Sequence, residues 1–311
     1  MIKIVKYDSA QKMIWNEFIG NSKNGTFMLK RDYMDYHSDR FTDFSLMFYE
    51  EDTLVAVLPA SLHGNELRSH GGLTYGGIIA DNSMKQHRML ECFSSMLLYL
   101  KEKKISKVIY KTIPYIYHKQ PSDEDLYALF VNKANLFRRD ISTTINLKNP
   151  VKMPKGRKAQ ISRARREGVV IVSSNDFDSF IALENAVLAA HHNTTAVHNA
   201  EELKLLKSRF QNEIQLWIAM YNGKMIAGTL IFVYDNIVHT QYMAADDTAR
   251  EIGGLDLLIK TLIDKFATEK NFFDFGISTE DGGKFLNTGL ISQKEGFGGR
   301  GIVYDMWEIC I

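Results

Sequence analysis

The chain has 311 residues, 45% apolar and 24% charged, with a formal net charge of +1. That length suits two ordinary domains or one large one, and the composition excludes disordered and fibrous classes. The near-neutral balance provides no global field for nucleic acid or membrane, so such binding would need a local patch.

Cys92 and Cys310 are the two cysteines, neither a disulfide framework nor a metal knuckle, and no metal is expected. A reducing compartment fits them. The start, "MIKIVKYDSAQ", has no apolar signal core. The most apolar helix-like run, residues 89–100, is too short to span a bilayer and carries Glu91. The expectation is a soluble cytoplasmic protein without a transmembrane segment.

Taken in chain order, the elements repeat. Residues 46–62, "LMFYEEDTLVAVLPASL", read as strand, polar turn and strand. A third strand is predicted over 71–79 and a helix follows, with Met89, Leu90, Phe93, Met96, Leu97 and Leu100 on one stripe. A strand over 107–113 closes the unit. The stretch 148–168 holds two of the five prolines and a basic cluster, Lys152, Lys155, Arg157, Lys158, Arg163, Arg165 and Arg166. It predicts a linker running into a helix.

Beyond it, helices are predicted over 176–190 and 199–210, the second with Asn199 as N-cap and Glu201 and Glu202 in its first turn. Then the earlier order returns. "LWIAMYNGKMIAGTLIF" (216–232) is a hairpin around Asn222-Gly223, and Leu54-Val55-Ala56 falls on Met225-Ile226-Ala227. A strand over 236–244 follows, then a helix carrying Leu255, Leu258, Ile259, Leu262 and Phe266, then a strand over 272–278. Each half reads as helices, three antiparallel strands, a crossover helix and a closing strand. The predicted fold class is α/β (mixed α+β), each half a mixed sheet flanked by helices, with domains 1–148 and 149–311.

In "TAREIGGLDLLIK" (248–260), Arg250, Gly253 and Gly254 meet the start of the second crossover helix. Unpaired N–H groups and the macrodipole make a helix start an anion site, glycines let backbone approach a phosphate, and Arg250 can add charge-assisted hydrogen bonds. Close helix–strand packing explains a glycine pair equally well. In the first copy His87 and Arg88 stand where the glycines would be.

The element order resembles that of a GNAT acyltransferase domain, here as two tandem copies covering nearly the whole chain. That resemblance implies that Arg250, Gly253 and Gly254 hold the pyrophosphate of acyl-CoA, acetyl-CoA being the expected donor substrate, although Leu255 departs from the family's Gly or Ala. A silent first copy resembles the Fem-type family of peptidoglycan bridge-forming aminoacyltransferases. So do "ISRARREGVVIV" (161–172), "FFDFGIS" (272–278) and "LISQKEGFGGRGIVYD" (290–305), with Gln293 in place of an aromatic. The long helical arm that some Fem-type ligases carry is absent.

Direct acyl transfer to an amine needs a proton acceptor, stabilisation of an oxyanion and protonation of the leaving group. Strand alternation sets His239, Gln241 and Met243 on one face and Tyr242 on the other. By the resemblance this strand lies beside the acyl group. His239 is then a candidate base and Tyr242 a candidate acid for the leaving thiolate; a hydrogen-bonded histidine and a packed strand aromatic are the plain alternatives. Asp274, among apolar neighbours in "FFDFGI", is a second candidate base if burial raises its pKa, or else half of an ion pair with Lys294 or Arg300.

His191, His192 and His198 lie between two helices, in the loop that in GNAT folds contacts the acceptor. Lys284 and Asn287 are predicted near the same end. All five are candidate acceptor contacts, and Lys284 and Asn287 could instead meet a donor phosphate. The predicted activity is N-acyl transfer from acyl-CoA to an amine on a sugar, peptide or cell-envelope precursor. Two rivals remain: a Fem-like transferase using aminoacyl-tRNA, to which the basic cluster would contribute, and a catalytically silent binding module; the cluster could equally meet a lipid pyrophosphate or an anionic membrane surface, or be a solvated linker helix.

Overall fold

The computed structural model describes residues 2–192 and 196–311; the side chains of His37, His191 and His192 lie outside the described set. The chain divides into two units. One comprises residues 1–141 with 279–285 and 303–311, and the other comprises 142–278 with 286–302. Strand Asn135–Asn146 begins in the first and ends in the second, and strand Arg300–Cys310 makes the return passage.

In the first unit, strands Ile2–Lys6, Leu46–Glu50, Thr53–Leu58 and Ile79–Ala80 lie side by side, all antiparallel. Strand Lys107–Lys111 pairs in parallel with Glu66–Arg68 and antiparallel with residues 306–310. Helix Gln86–Glu102 buries Met89, Phe93, Met96 and Leu100 of the predicted stripe and Cys92 besides, with Leu90 and Leu97 half-buried, and their cluster includes Phe48, Val108 and Ile309. The strand predicted over 71–79 is mostly irregular, and only Ile79–Ala80 extends. Its glycines are used for close approach instead: a Cβ on Gly76 would lie 2.4 Å from the Ser69 carbonyl oxygen, and Gly77 has φ +79°.

In the second unit the sheet order is Val170–Ser174, Ile214–Tyr221, Lys224–Val233, Ile237–Ala245, Phe272–Ile277, then residues 142–146. The hairpin turns through Asn222 and Gly223, both at positive φ, as a two-residue turn matching sheet twist requires. Helices Lys155–Arg166 and Gly254–Phe266 pack on one face around Ile161, Ile231, Val238, Leu258, Leu262 and Phe273. Phe177–His192 and Ala200–Arg209 serve the other face, with Phe180 lying over the bare backbone of Gly228. Asn199 caps its helix in a reciprocal box with Glu202. The architecture is mixed α/β, with mixed sheets flanked by helices. No helix among the described residues is long and apolar enough to cross a membrane.

Two departures from regular sheet shape the second unit. Ile237–Ala245 and Phe272–Ile277 are parallel neighbours over only three pairs, ending at His239 and Asp274. Beyond that point residues 240–245 have no strand paired on this side among the described residues. On the opposite side, Leu230 pairs with Tyr242 and Ile231 with Thr240, so Gln241 is an extra residue in a β-bulge. A bulge shifts the alternation by one. Met243 and Ala245, each an odd number of residues after Val238, therefore pack in the same cluster as Val238. His239 and Tyr242 consequently share the other face, correcting the simple alternation read from sequence.

Candidate functional site

All the groups of this site belong to the second unit. Asp274 is fully buried, its solvent replaced by four hydrogen bonds. Ser142 Oγ and Thr144 Oγ1 each donate to Oδ1 at 2.6 Å, the Gly276 N–H donates to Oδ2 at 3.2 Å, and His239 Nδ1 meets Oδ2 at 2.7 Å. Burial by itself would raise this carboxyl. The His239 bond and charge and the two hydroxyls overcome it and hold Asp274 below the usual carboxylate range. Asp274 is therefore ionised, an acceptor at both oxygens, so His239 Nδ1 carries a proton and donates it to Oδ2.

This differs from the expectation that burial raises Asp274 toward a base. Its partner is His239, rather than an ion-pairing Lys294 or Arg300. The arrangement is a carboxylate orienting an imidazole, with the hydroxyls from strand Asn135–Asn146 holding the carboxylate. Lys294 is nearby and 3% exposed. Its Nζ donates to the carbonyls of Gly276 and Ile277 at 2.9 and 2.7 Å. Burial pushes it down to about 8, with the Asp274 charge opposing.

Three residues further along the strand, roughly 10 Å away at strand rise, lies a second group. The Tyr242 hydroxyl meets His198 Nδ1 at 2.6 Å, joining two residues that the sequence had singled out separately. Burial, with a contribution from the Glu184 charge, pushes the phenol up to about 12. Glu184 is 6% exposed, burial pushes it up to about 7, and its Oε2 has no hydrogen-bond partner among the described residues.

Sequence reasoning passed over Glu184. The available signal is its place on the apolar stripe of Phe177–His192, four residues after Phe180 and three after Ile181, where an acidic residue has no packing reason to be.

Around the glycines, helix Asp247–Ile252 ends in Gly253 at φ +82°, and helix Gly254–Phe266 starts directly after it. A Cβ on Gly253 would sit 2.5 Å from the Gln160 carbonyl oxygen, and one on Gly254 2.9 Å from Ile226 Cδ1. Both glycines thus have packing reasons, and Gly253 a conformational one as well. The helix start also suits an anion. Its N-cap is glycine, so no side chain caps the first-turn N–H groups. Asp256 in that turn would oppose an anion, but Arg157 pairs with it. Arg250, 44% exposed, reaches Asp247 at 3.4 Å.

The remaining candidates are dispersed. The side chains of His191 and His192 lie outside the described residues. Lys284 is exposed in the 279–285 segment of the first unit, and Asn287 is the N-cap of helix Thr288–Glu295, accepting from the Leu290 N–H. Among the described residues, no group of histidine, cysteine and carboxylate side chains is placed to hold a metal.

Residues 155–281 match the family described as acetyltransferase (GNAT) domain. A comparison with curated proteins finds no match. Among solved structures, FemX aligns over 99% of this chain and 97% of its own, with TM-score 0.71 and 9% identity. L-PGS from Bacillus licheniformis aligns over 98% and 92%, with TM-score 0.64 and 14% identity. A tandem GNAT protein from the clavulanic acid biosynthesis pathway aligns over 99% and 98%, with TM-score 0.54 and 10% identity. At these identities the likeness is one of fold.

Proposed function

We propose, from a tandem GNAT, Fem-like fold whose residues 155–281 form an acetyltransferase (GNAT) domain, that the protein transfers an acyl group from acyl-CoA, acetyl-CoA in the first instance, to an amine. The observation that carries this reading is the parting of strands Ile237–Ala245 and Phe272–Ile277 after His239, beside a helix start without a side-chain cap. An acyl thioester lying in that wedge meets unpaired strand backbone at its carbonyl. Its pyrophosphate meets the first turn of Gly254–Phe266 and Arg250.

The acceptor amine attacks the thioester carbonyl, the C–S bond breaks on collapse, and CoA leaves as thiolate. His239 Nε2 takes the proton from the attacking nitrogen. Asp274 is a positioning residue, holding the tautomer and stabilising the imidazolium. Tyr242, kept protonated by burial and by the Glu184 charge, returns a proton to the thiolate. His198 orients the phenol. An amine on a sugar, peptide or envelope precursor is the acceptor class, with His191, His192, Lys284 and Asn287 as candidate contacts. A cytoplasmic setting goes with this reading, since acyl-CoA and reduced thiols such as Cys92 and Cys310 are kept there.

Calorimetric titration of acetyl-CoA, beside Arg250→Ala, tests the donor site. Micromolar binding weakened about tenfold in the variant, the loss of one charge-assisted contact, supports the reading; no binding to the intact protein defeats it. The basic helix Lys155–Arg166, with Arg165 and Arg166 exposed, supports aminoacyl-tRNA as the second reading for the donor. Steeply salt-dependent tRNA binding, lost on neutralising Arg163 and Arg166, would favour it. Binding of neither donor would leave a silent module.

A further inference from the structure

The second unit contains a cavity that the acyl-transfer reading does not use. It has a volume of about 440 Å³, within the range of small-molecule sites. Its interior is formed by Ile145, Ile161, Ile263 and Phe297, each below 10% exposure and each part of the core behind the sheet. Its opening carries Lys152, Lys158, Arg165 and Lys260. The lining's one acid, Asp264, pairs with Lys260. No described carboxylate pairs with Lys152, Lys158 or Arg165.

The cavity borders the C-terminal half of helix Gly254–Phe266, at Lys260, Ile263 and Ala267. The helix start proposed for the pyrophosphate is at Gly254, about nine residues and hence roughly 14 Å away along the axis. The two sites therefore lie at opposite ends of one rigid element.

An apolar interior with a cationic opening sorts ligands by chemistry. A polar molecule would lose its hydration against isoleucine and phenylalanine without compensation. A neutral hydrocarbon would leave three lysine or arginine charges unused. An aliphatic chain ending in an anionic head satisfies both, burying its methylenes against the apolar interior while phosphate or carboxylate meets Lys152, Lys158 and Arg165. The same side chains belong to the basic cluster that stands out in the sequence, so the structure supplies that cluster with an apolar counterpart.

We propose that this cavity binds the aliphatic tail of an anionic amphiphile, with Lys152, Lys158 and Arg165 holding its head group. The assignment is independent of the donor and of transfer activity.

The probe is monomeric dodecyl phosphate, titrated calorimetrically into the full-length protein, with a dodecyl chain on an uncharged polyether head as control. The expected result is one site, with affinity at least tenfold weaker for the uncharged probe and for Lys158→Glu with Arg165→Glu. Ala267→Trp, which fills the cavity, should abolish binding, with melting temperature and acetyl-CoA binding unchanged. Co-flotation with phosphatidylglycerol vesicles, lost in Ala267→Trp, would identify a bilayer lipid as the source of the tail. Binding of the monomer without flotation would identify a free amphiphile. Absence of dodecyl phosphate binding, or binding insensitive to both variants, overturns the proposal. RNA binding lost on the charge reversal, without amphiphile binding, would overturn it in favour of a nucleic-acid surface.

Discussion

At the scale of single residues, the chemistry rests on how four hydrogen bonds reverse the effect of burial on one carboxylate. Asp274 is ionised because Ser142, Thr144, His239 and the Gly276 amide all face it. That ionisation sets the histidine tautomer. If His239 Nε2 is the proton acceptor, His239→Gln should lower kcat by roughly 10²–10⁴-fold, leave acetyl-CoA affinity by calorimetry little changed, and leave the fold intact by circular dichroism. Unchanged kcat would remove His239 from the reaction.

Glu184 is the opposite case, a buried carboxylate whose Oε2 has no hydrogen-bond partner among the described residues, pushed up to about 7. Its folded value lies above the ordinary carboxylate value of about 4.3. The folded state then binds more protons between those two pH values, so stability falls as pH rises from about 4.3 to 7 and stays lowered above. Glu184→Gln removes that penalty. The variant should be more stable at pH 8, on the order of 3 kcal/mol for a shift of this size, and the difference should fade as pH approaches 4. Parallel urea unfolding curves at pH 8 and pH 4.5 measure it; an equal difference at both would show that burial does not raise Glu184.

At the scale of elements, the wedge and the bulge belong to one strand. Ile237–Ala245 pairs with Phe272–Ile277 only as far as His239, and two residues later Gln241 shifts the register. The bulge brings Tyr242 to the His239 face. The joint between helices Asp247–Ile252 and Gly254–Phe266 is similarly constrained. Gly253 needs φ +82° and a backbone approach to Gln160 that no Cβ allows. Gly253→Ala should lower stability by roughly 2 kcal/mol or more, the sum of left-handed strain and overpacking. Arg250→Ala should leave the unfolding midpoint in place. Thermal unfolding of both variants separates them, and it makes Arg250 the cleaner test of donor binding.

At the scale of the whole molecule, the two halves exchange chain. The first unit is completed by residues 303–311, whose Ile309 is 2% exposed in its core and whose strand pairs with Lys107–Lys111. A fragment of residues 1–141 would expose that strand edge and lose those contacts. It should aggregate or unfold at room temperature, whereas the same fragment with residues 303–311 fused through a flexible linker should recover cooperative unfolding. Solubility and circular-dichroism melts of the two fragments decide the matter; a cooperatively folded 1–141 would show the C-terminal strand to be dispensable.

The repeat, the Asn222-Gly223 turn, the Asn199 cap and the crossover helices were legible in the sequence because each depends on neighbours a few residues apart. Periodicity, turn chemistry and capping are local, and they hold wherever the chain packs. His239, Tyr242, Asp274 and His198 could be named from residue type and position on a strand or loop. What only the tertiary structure decided was their grouping. Ser142 and Asp274 are brought together by strand pairing, His198 and Tyr242 by the packing of a loop on a sheet, and His239 and Tyr242 by a bulge that alternation cannot foresee. The role of Asp274 changed for the same reason: a buried carboxylate is raised or lowered by hydrogen-bond donors that arrive from distant parts of the chain, and local sequence contains no record of them.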